Sequence, residues 1–150
     1  MSTIHFTEIS TATPEQLLAG ITDFGPGRQE LFANSSDAGL TVHATGPDWA
    51  DVTEGGGGVW ERLRYDWSNP RRIVMTTTDS NLWGGASGHV YTLTPQPDGT
   101  TRLDAEVIRE GKNVKGKVTG ALLGSVAKGA LGKALHNTVK AIETRHAVTS

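Results

Sequence analysis

From Gly39 to Arg109 apolar side chains recur at every second position, in short runs broken by glycine, proline, asparagine or aspartate. A period of two sends successive side chains to opposite faces of an extended chain, so this stretch cannot be a helical bundle. The runs GLTVHAT, WADVTE, VWERLRYDW, RRIVMTTT, GHVYTLTP and TRLDAEVIR are rich in β-branched and aromatic residues, and in succession they predict an antiparallel meander. Asp98-Gly99 within PQPDGT supplies residues that tolerate positive φ at a tight hairpin, and SNPRR at 68–72 marks another turn.

The flanks read differently. STIHFTEI (2–9) alternates as a half-buried strand. TPEQLLAGITDF has Thr13 as N-cap, Pro14 at the first helical position and Gln16 completing a capping box, with an apolar stripe of Leu17, Leu18, Ile21 and Phe24. GPG at 25–27 ends that helix, and RQELFA is at most a second short one. From Asn113 to His146 the composition is helical again, but the apolar stripe moves by nearly half a turn between Leu122 and Leu131. Gly124, Gly129 and Gly132 sit at the shift, which predicts a kink or break there.

Within that last region, GKVTGALLGSVAKGAL (116–131) spaces glycines like a membrane helix–helix contact. A membrane span needs about twenty apolar residues, whereas the longest uncharged run, Val118–Ala127, is ten. A cationic surface helix would need interfacial aromatics, and no Trp, Tyr or Phe follows Tyr91. The expected role is a helix packed on the strands, with small residues at points of close approach.

At 150 residues the chain is expected to form one domain, 1–150. There are no cysteines, and MSTIHFTEIS has no basic region followed by an apolar stretch, so the expected location is the cytoplasm. The net charge of −2 hides an asymmetry, because all six lysines lie from Lys112 onward. Either this basic helix lies against the acidic body, or it makes weak contact with an anionic surface. Nucleic acid is not an expected partner, since the basic segment lacks stacking aromatics.

Chemistry has to come from few places. GGASGH (84–89) fails the nucleophile-elbow pattern at His89, and EGGGGVW fails the dinucleotide fingerprint at Trp60. His5, His43, His89, His136 and His146 show no metal-ligand spacing, so no metal or other cofactor is expected, and His136 should face solvent. Alternation places Val59, Glu61, Leu63, Tyr65 and Trp67 on one face, with Ile73, Met75, Thr77, His89, Tyr91, Leu93, Leu103, Ala105, Val107 and Arg109. Glu61, Tyr65, His89, Tyr91 and Arg109 would then be polar points in an apolar chamber. A carboxylate there with a raised pKa could exchange protons with His89 or Tyr91, or Glu61 could instead pair with Arg109 at the rim.

The order strand, helix, short helix, six strands, long helix resembles the START-like superfamily, also called SRPBCC, the polyketide cyclase/dehydrase and lipid transport group. The likeness is carried by TATPEQLLAGITDF, ADVTEGGGGVWERLRYDWSNPRRIVM, GHVYTLTPQPDGTTRLDAEV and GKALHNTVKAIE. The resemblance implies an α+β helix-grip fold, in which a curved antiparallel sheet of about seven strands wraps a long C-terminal helix over an apolar cavity. It also implies binding or carriage of a lipid, polyketide or quinone-like molecule. The expected ligand-binding set is Glu61, Leu63, Tyr65, Met75, Thr77, Trp83, His89, Tyr91, Arg109 and Leu122. The alternative it implies is a polyketide cyclase/dehydratase with Glu61, His89 and Tyr91 as catalytic candidates. The expected state is a monomer or homodimer.

Overall fold

The computed structural model describes residues 2–25, 28–32, 39–56, 58–113, 115, 117 and 128–149. Strand β1 (Ser2–Ser10) leads into helices α1 (Pro14–Ile21) and α2 (Arg28–Leu31). Strands β2 (Thr41–Thr45), β3 (Trp49–Gly56), β4 (Val59–Asn69), β5 (Arg72–Ser80), β6 (Gly88–Pro95) and β7 (Thr101–Arg109) follow, and helix α3 (Lys128–Thr149) closes the described chain. The seven strands form one antiparallel sheet in the order β1-β7-β6-β5-β4-β3-β2. The six later strands are the meander that their alternation predicts, and β1 returns to pair with β7 from Ser2↔Arg109 to Ser10↔Thr101. The β6–β7 turn closes as expected at Asp98-Gly99, where Gly99 has φ +89° and Thr100 N–H donates to Asp98 Oδ1.

One face of this curved sheet is the core. Ala50, Val52, Leu63, Tyr65, Ile73, Met75, Leu93, Leu103 and Ala105 are buried there beneath Leu17 and Ile21 of α1 and Leu135, Val139 and Ile142 of α3. Arg64 and Asp66, on the opposite parity of β4, are exposed. A one-residue slip would exchange these two sets, so burial of the apolar set specifies the register. Val59, expected on the inner face, is instead 37% exposed beside Trp60, at the first position of β4, where its ladder partner Gly56 offers no side chain to pack against.

The capping box of α1 forms as read: Thr13 N–H donates to Gln16 Oε1 and Gln16 N–H to Thr13 Oγ1. The helix stops at Ile21, earlier than the stripe through Phe24 suggested. Thr22 Oγ1 donates to the Leu18 carbonyl, and Arg28 Nη1 donates to the carbonyls of Ile21 and Asp23, so the end of the helix is satisfied by side chains.

Helix α3 runs without interruption through Gly129 and Gly132. Gly124 and Leu122 lie outside the described residues. Lys115 and Lys117 are helical, with Lys117 N–H donating to the Asn113 carbonyl. A Cβ at Gly132 would stand 3.1 Å from the Phe6 ring, the close approach expected of a small residue on this helix. The basic helix meets acidic groups of the body, His136 with Glu8 and Arg145 with Asp23, and its own Glu143 accepts from Ser10 Oγ and Thr11 N–H. Among the described residues no helix is long and apolar enough to cross a membrane.

Helices α1 and α3 come close at Gly20, where an added Cβ would lie 2.7 Å from Ile142 Cγ1. Gly20→Val should therefore destabilise the fold by about 1–3 kcal/mol through overpacking. In urea unfolding, Ile142→Ala in the same chain should relieve part of that loss, giving a less than additive double variant.

Candidate functional site

The ladders bring the inward polar residues together. His89 pairs with Met75 on one side and Val107 on the other, and Leu63 pairs with Thr77. Glu61 and Arg109 each stand two residues along from one of those partners, on the same face, so both are diagonal neighbours within reach of long side chains. Arg109 Nη1 donates to Glu61 Oε2 at 2.7 Å, Arg109 Nη2 lies 3.3 Å from Oε1, and Thr77 Oγ1 also donates to Oε2. Arg109 Nη2 reaches His89 Nε2 at 3.0 Å, while the nearest Glu61 oxygen stands 4.0 Å from that nitrogen. Tyr91 lies edge-on to His89, with ring centroids 6.3 Å apart.

Electrostatics assigns the charge states. Burial pushes the Glu61 carboxyl up, but the charge of Arg109, with His89 and the Thr77 hydroxyl, outweighs it and holds the carboxyl below its ordinary value. Burial and the adjacent Arg109 charge lower His89 to about 4. Burial raises Tyr91 to about 12. At neutral pH the cluster is therefore an ion pair flanked by a neutral imidazole and a neutral phenol.

A second buried ion pair lies at the other polar point, Tyr65. Arg28 is 1% exposed, between the Phe24 and Phe32 rings at 4.6 and 4.5 Å from its guanidinium carbon. Its Nε donates to Glu54, its Nη2 to Tyr65 Oη at 3.1 Å, and Tyr65 Oη donates to Glu54 Oε2 at 2.6 Å. Burial, with the Glu54 charge, raises the Tyr65 phenol well above its ordinary value. Sequence reasoning missed this pair. Glu54 was within reach of it, because alternation in WADVTE aligns Glu54 with the buried Ala50 and Val52. Nothing local marks Arg28, since only the tertiary fold carries the α1–α2 connection over the sheet.

The segment between β5 and β6 is fastened in place. Gly84 N–H donates to the Glu110 carbonyl, Ala86 N–H to Glu110 Oε2, and Glu110 N–H to Ser87 Oγ. Gly85, at φ +57°, has the Glu110 carboxylate where a Cβ would go. Trp83 is consequently buried, and the Arg109 guanidinium carbon lies 5.2 Å from its ring centroid. Trp67 is partly buried against the core.

Of the expected binding residues, the structure gathers Glu61, Thr77, Trp83, His89, Tyr91 and Arg109 into one cluster. Leu63 and Met75 belong to the apolar wall, Tyr65 belongs to the Arg28 pair, and Leu122 lies outside the described residues. Among the described residues no group of three His, Asp or Glu side chains could hold a metal ion.

A family model described as polyketide cyclase / dehydrase and lipid transport matches residues 1–143. No curated protein matches the chain by sequence. Among solved structures, a protein from Thermus thermophilus is similar at a TM-score of 0.72 and 15% identity, over 99% of both chains. A START superfamily protein from Mycobacterium smegmatis is similar at 0.69 and 15% identity, over 99% of both chains. The Zhui aromatase/cyclase from a Streptomyces species is similar at 0.70 and 12% identity, over 96% of this chain and 94% of that one. At these identities the likeness is one of fold.

The charge states predict how stability responds to acid. His89 titrates at about 4 in the folded chain against an ordinary 6.5. Between those values the unfolded state takes up a proton that the folded state does not, so stability falls as pH falls, by roughly 3 kcal/mol in full. Glu61 acts lower: its contribution is complete above its ordinary value of 4.5 and is lost as pH falls through the lowered folded value. Urea unfolding at about pH 7 and about pH 4.5 should show the first loss, and His89→Phe should flatten it. Arg28→Met, which leaves Glu54 largely buried without its cation, should cost about 3–5 kcal/mol in the same assay.

Proposed function

Because the chain belongs to the polyketide cyclase/dehydrase and lipid transport family, we propose that it binds or carries a hydrophobic or amphipathic small molecule, lipid-, polyketide- or quinone-like, against the inner face of the sheet. The observation that supports binding over catalysis is the commitment of Glu61. Its carboxylate accepts from both Arg109 and Thr77 and is held below its ordinary value, while burial moves His89 to about 4 and Tyr91 to about 12, away from neutrality where a general acid or base works best. The apolar wall of Leu63, Met75, Leu103 and Ala105 around a few fixed polar points is the composition of a small-molecule site.

The second reading is a polyketide cyclase/dehydratase. It is favoured by the placement of His89 and Tyr91 beside Glu61, where a ligand oxygen could touch two of them. The basic C-terminal helix offers less support for anionic-surface docking, since His136, Lys140 and Arg145 each meet an acid of the same chain.

Native mass spectrometry of the protein purified from its own host, with extraction of the bound molecule, tests the proposal. A stoichiometric apolar or amphipathic compound is the expected result. An empty protein whose tryptophan fluorescence is also unchanged across a panel of lipids, polyketides and quinones would count against it. Recovery of a cyclised or dehydrated product from a supplied linear polyketide, lost in both Glu61→Gln and His89→Ala, would favour the enzyme.

A further inference from the structure

The hydrogen on His89 can be placed by elimination. An arginine guanidinium has only donors and stays protonated, so Arg109 Nη2 donates to His89 Nε2, which must accept. A neutral imidazole with a bare Nε2 carries its hydrogen on Nδ1. That Nδ1 is buried and has no hydrogen-bond partner among the described residues. A buried donor left without an acceptor is a costly omission that native structures rarely tolerate without a reason. Here it lies on the inner face, one β-strand pleat from Tyr91.

The surrounding charges decide what could accept. Arg109 is neutralised by Glu61, and Arg28 by Glu54, so these two buried cations are both committed. An anion brought beside His89 would approach the Glu61 carboxylate, with the buried cations Arg28 and Arg109 already paired and unable to offset its lost hydration. An uncharged oxygen meets neither penalty.

We propose that the molecule bound at the inner face presents a neutral oxygen acceptor, of the ketone or quinone class, to His89 Nδ1–H, and that a carboxylate is refused there. This rests on the small-molecule reading above and adds the polarity and charge of the group recognised. Arg109 is then a positioning residue: by donating to Nε2 it holds the imidazole in the tautomer that offers Nδ1–H.

Two measurements test it. A long-range 1H–15N spectrum of the labelled full chain at about pH 7 should show His89 with a protonated Nδ1 and a bare Nε2, and the opposite tautomer would overturn the proposal. Three probes of similar size, 2-acetonaphthone, 2-naphthoate and 2-ethylnaphthalene, are then titrated by calorimetry. The ketone should bind about tenfold tighter than either of the others and should shift the His89 Nδ1 resonance. In His89→Phe the ketone should lose its advantage over the hydrocarbon, while hydrocarbon binding persists. Equal binding of ketone and hydrocarbon, or naphthoate binding as tightly as the ketone, would sink this proposal and leave the small-molecule reading standing. Silence from all three probes would count against that reading itself. Should His89→Phe fail to fold, the tautomer and the probe order in the unmodified chain still decide.

Discussion

A seven-stranded sheet with one apolar face must cover that face, and among the described residues helices do so. The cover comes from α1, α2 and α3, and the contact that sets its depth is the approach of Ile142 to Gly20. Full burial of a side chain such as Ile142 contributes about 2 kcal/mol, and Val139, Leu17 and Ile21 add comparable terms on the same seam. Polar contacts then fix the direction of α3. Glu143 takes hydrogen bonds from the end of β1, and Arg145 meets Asp23 beyond α1. Beneath these helices the apolar core residues share the inner face with buried charged groups.

Two ion pairs occupy that inner face, and each has a distinct physical role. Arg28–Glu54 is enclosed by Phe24, Phe32 and Tyr65, and its guanidinium also satisfies the open carbonyls after α1. It stitches a short helical connection to the sheet through hydrogen bonds that no apolar residue could supply. Arg109–Glu61 lies at the ends of strands under Trp83, and it shapes the protonation of its neighbours: burial together with the guanidinium keeps His89 neutral, and the guanidinium keeps Glu61 ionised against its burial. A buried ion pair adds little net stability over apolar packing. Its effect here is to fix which atoms donate and which accept along one stretch of the sheet.

The loop between β5 and β6 illustrates how a glycine-rich segment can be read in two ways. Its composition suits a mobile cover, yet Glu110 and Ser87 bind it through backbone and side-chain hydrogen bonds, and Gly85 is there because the Glu110 carboxylate fills the space of a Cβ. Close approach, and not motion, accounts for that glycine. The same holds for Gly132 against Phe6.

Much of the fold was legible in the sequence because its cause is local. The period of two over Gly39–Arg109 determined six strands and, through alternation, the buried parity of Leu63, Ile73, Met75, Tyr91 and Leu103; Thr13, Pro14 and Gln16 determined where α1 begins. The inward parity of Glu61, His89 and Arg109 was readable for the same reason. What only the tertiary structure decided is which of these groups meet and in what charge state. Pairing β4 with β5, β5 with β6 and β6 with β7 brings Arg109 to both Glu61 and His89, and the fold alone carries Arg28 to Glu54, 26 positions away. Periodicity specifies a face, a property of neighbouring residues. Ion pairing and pKa depend on distance and burial across strands, which are set when the chain closes on itself.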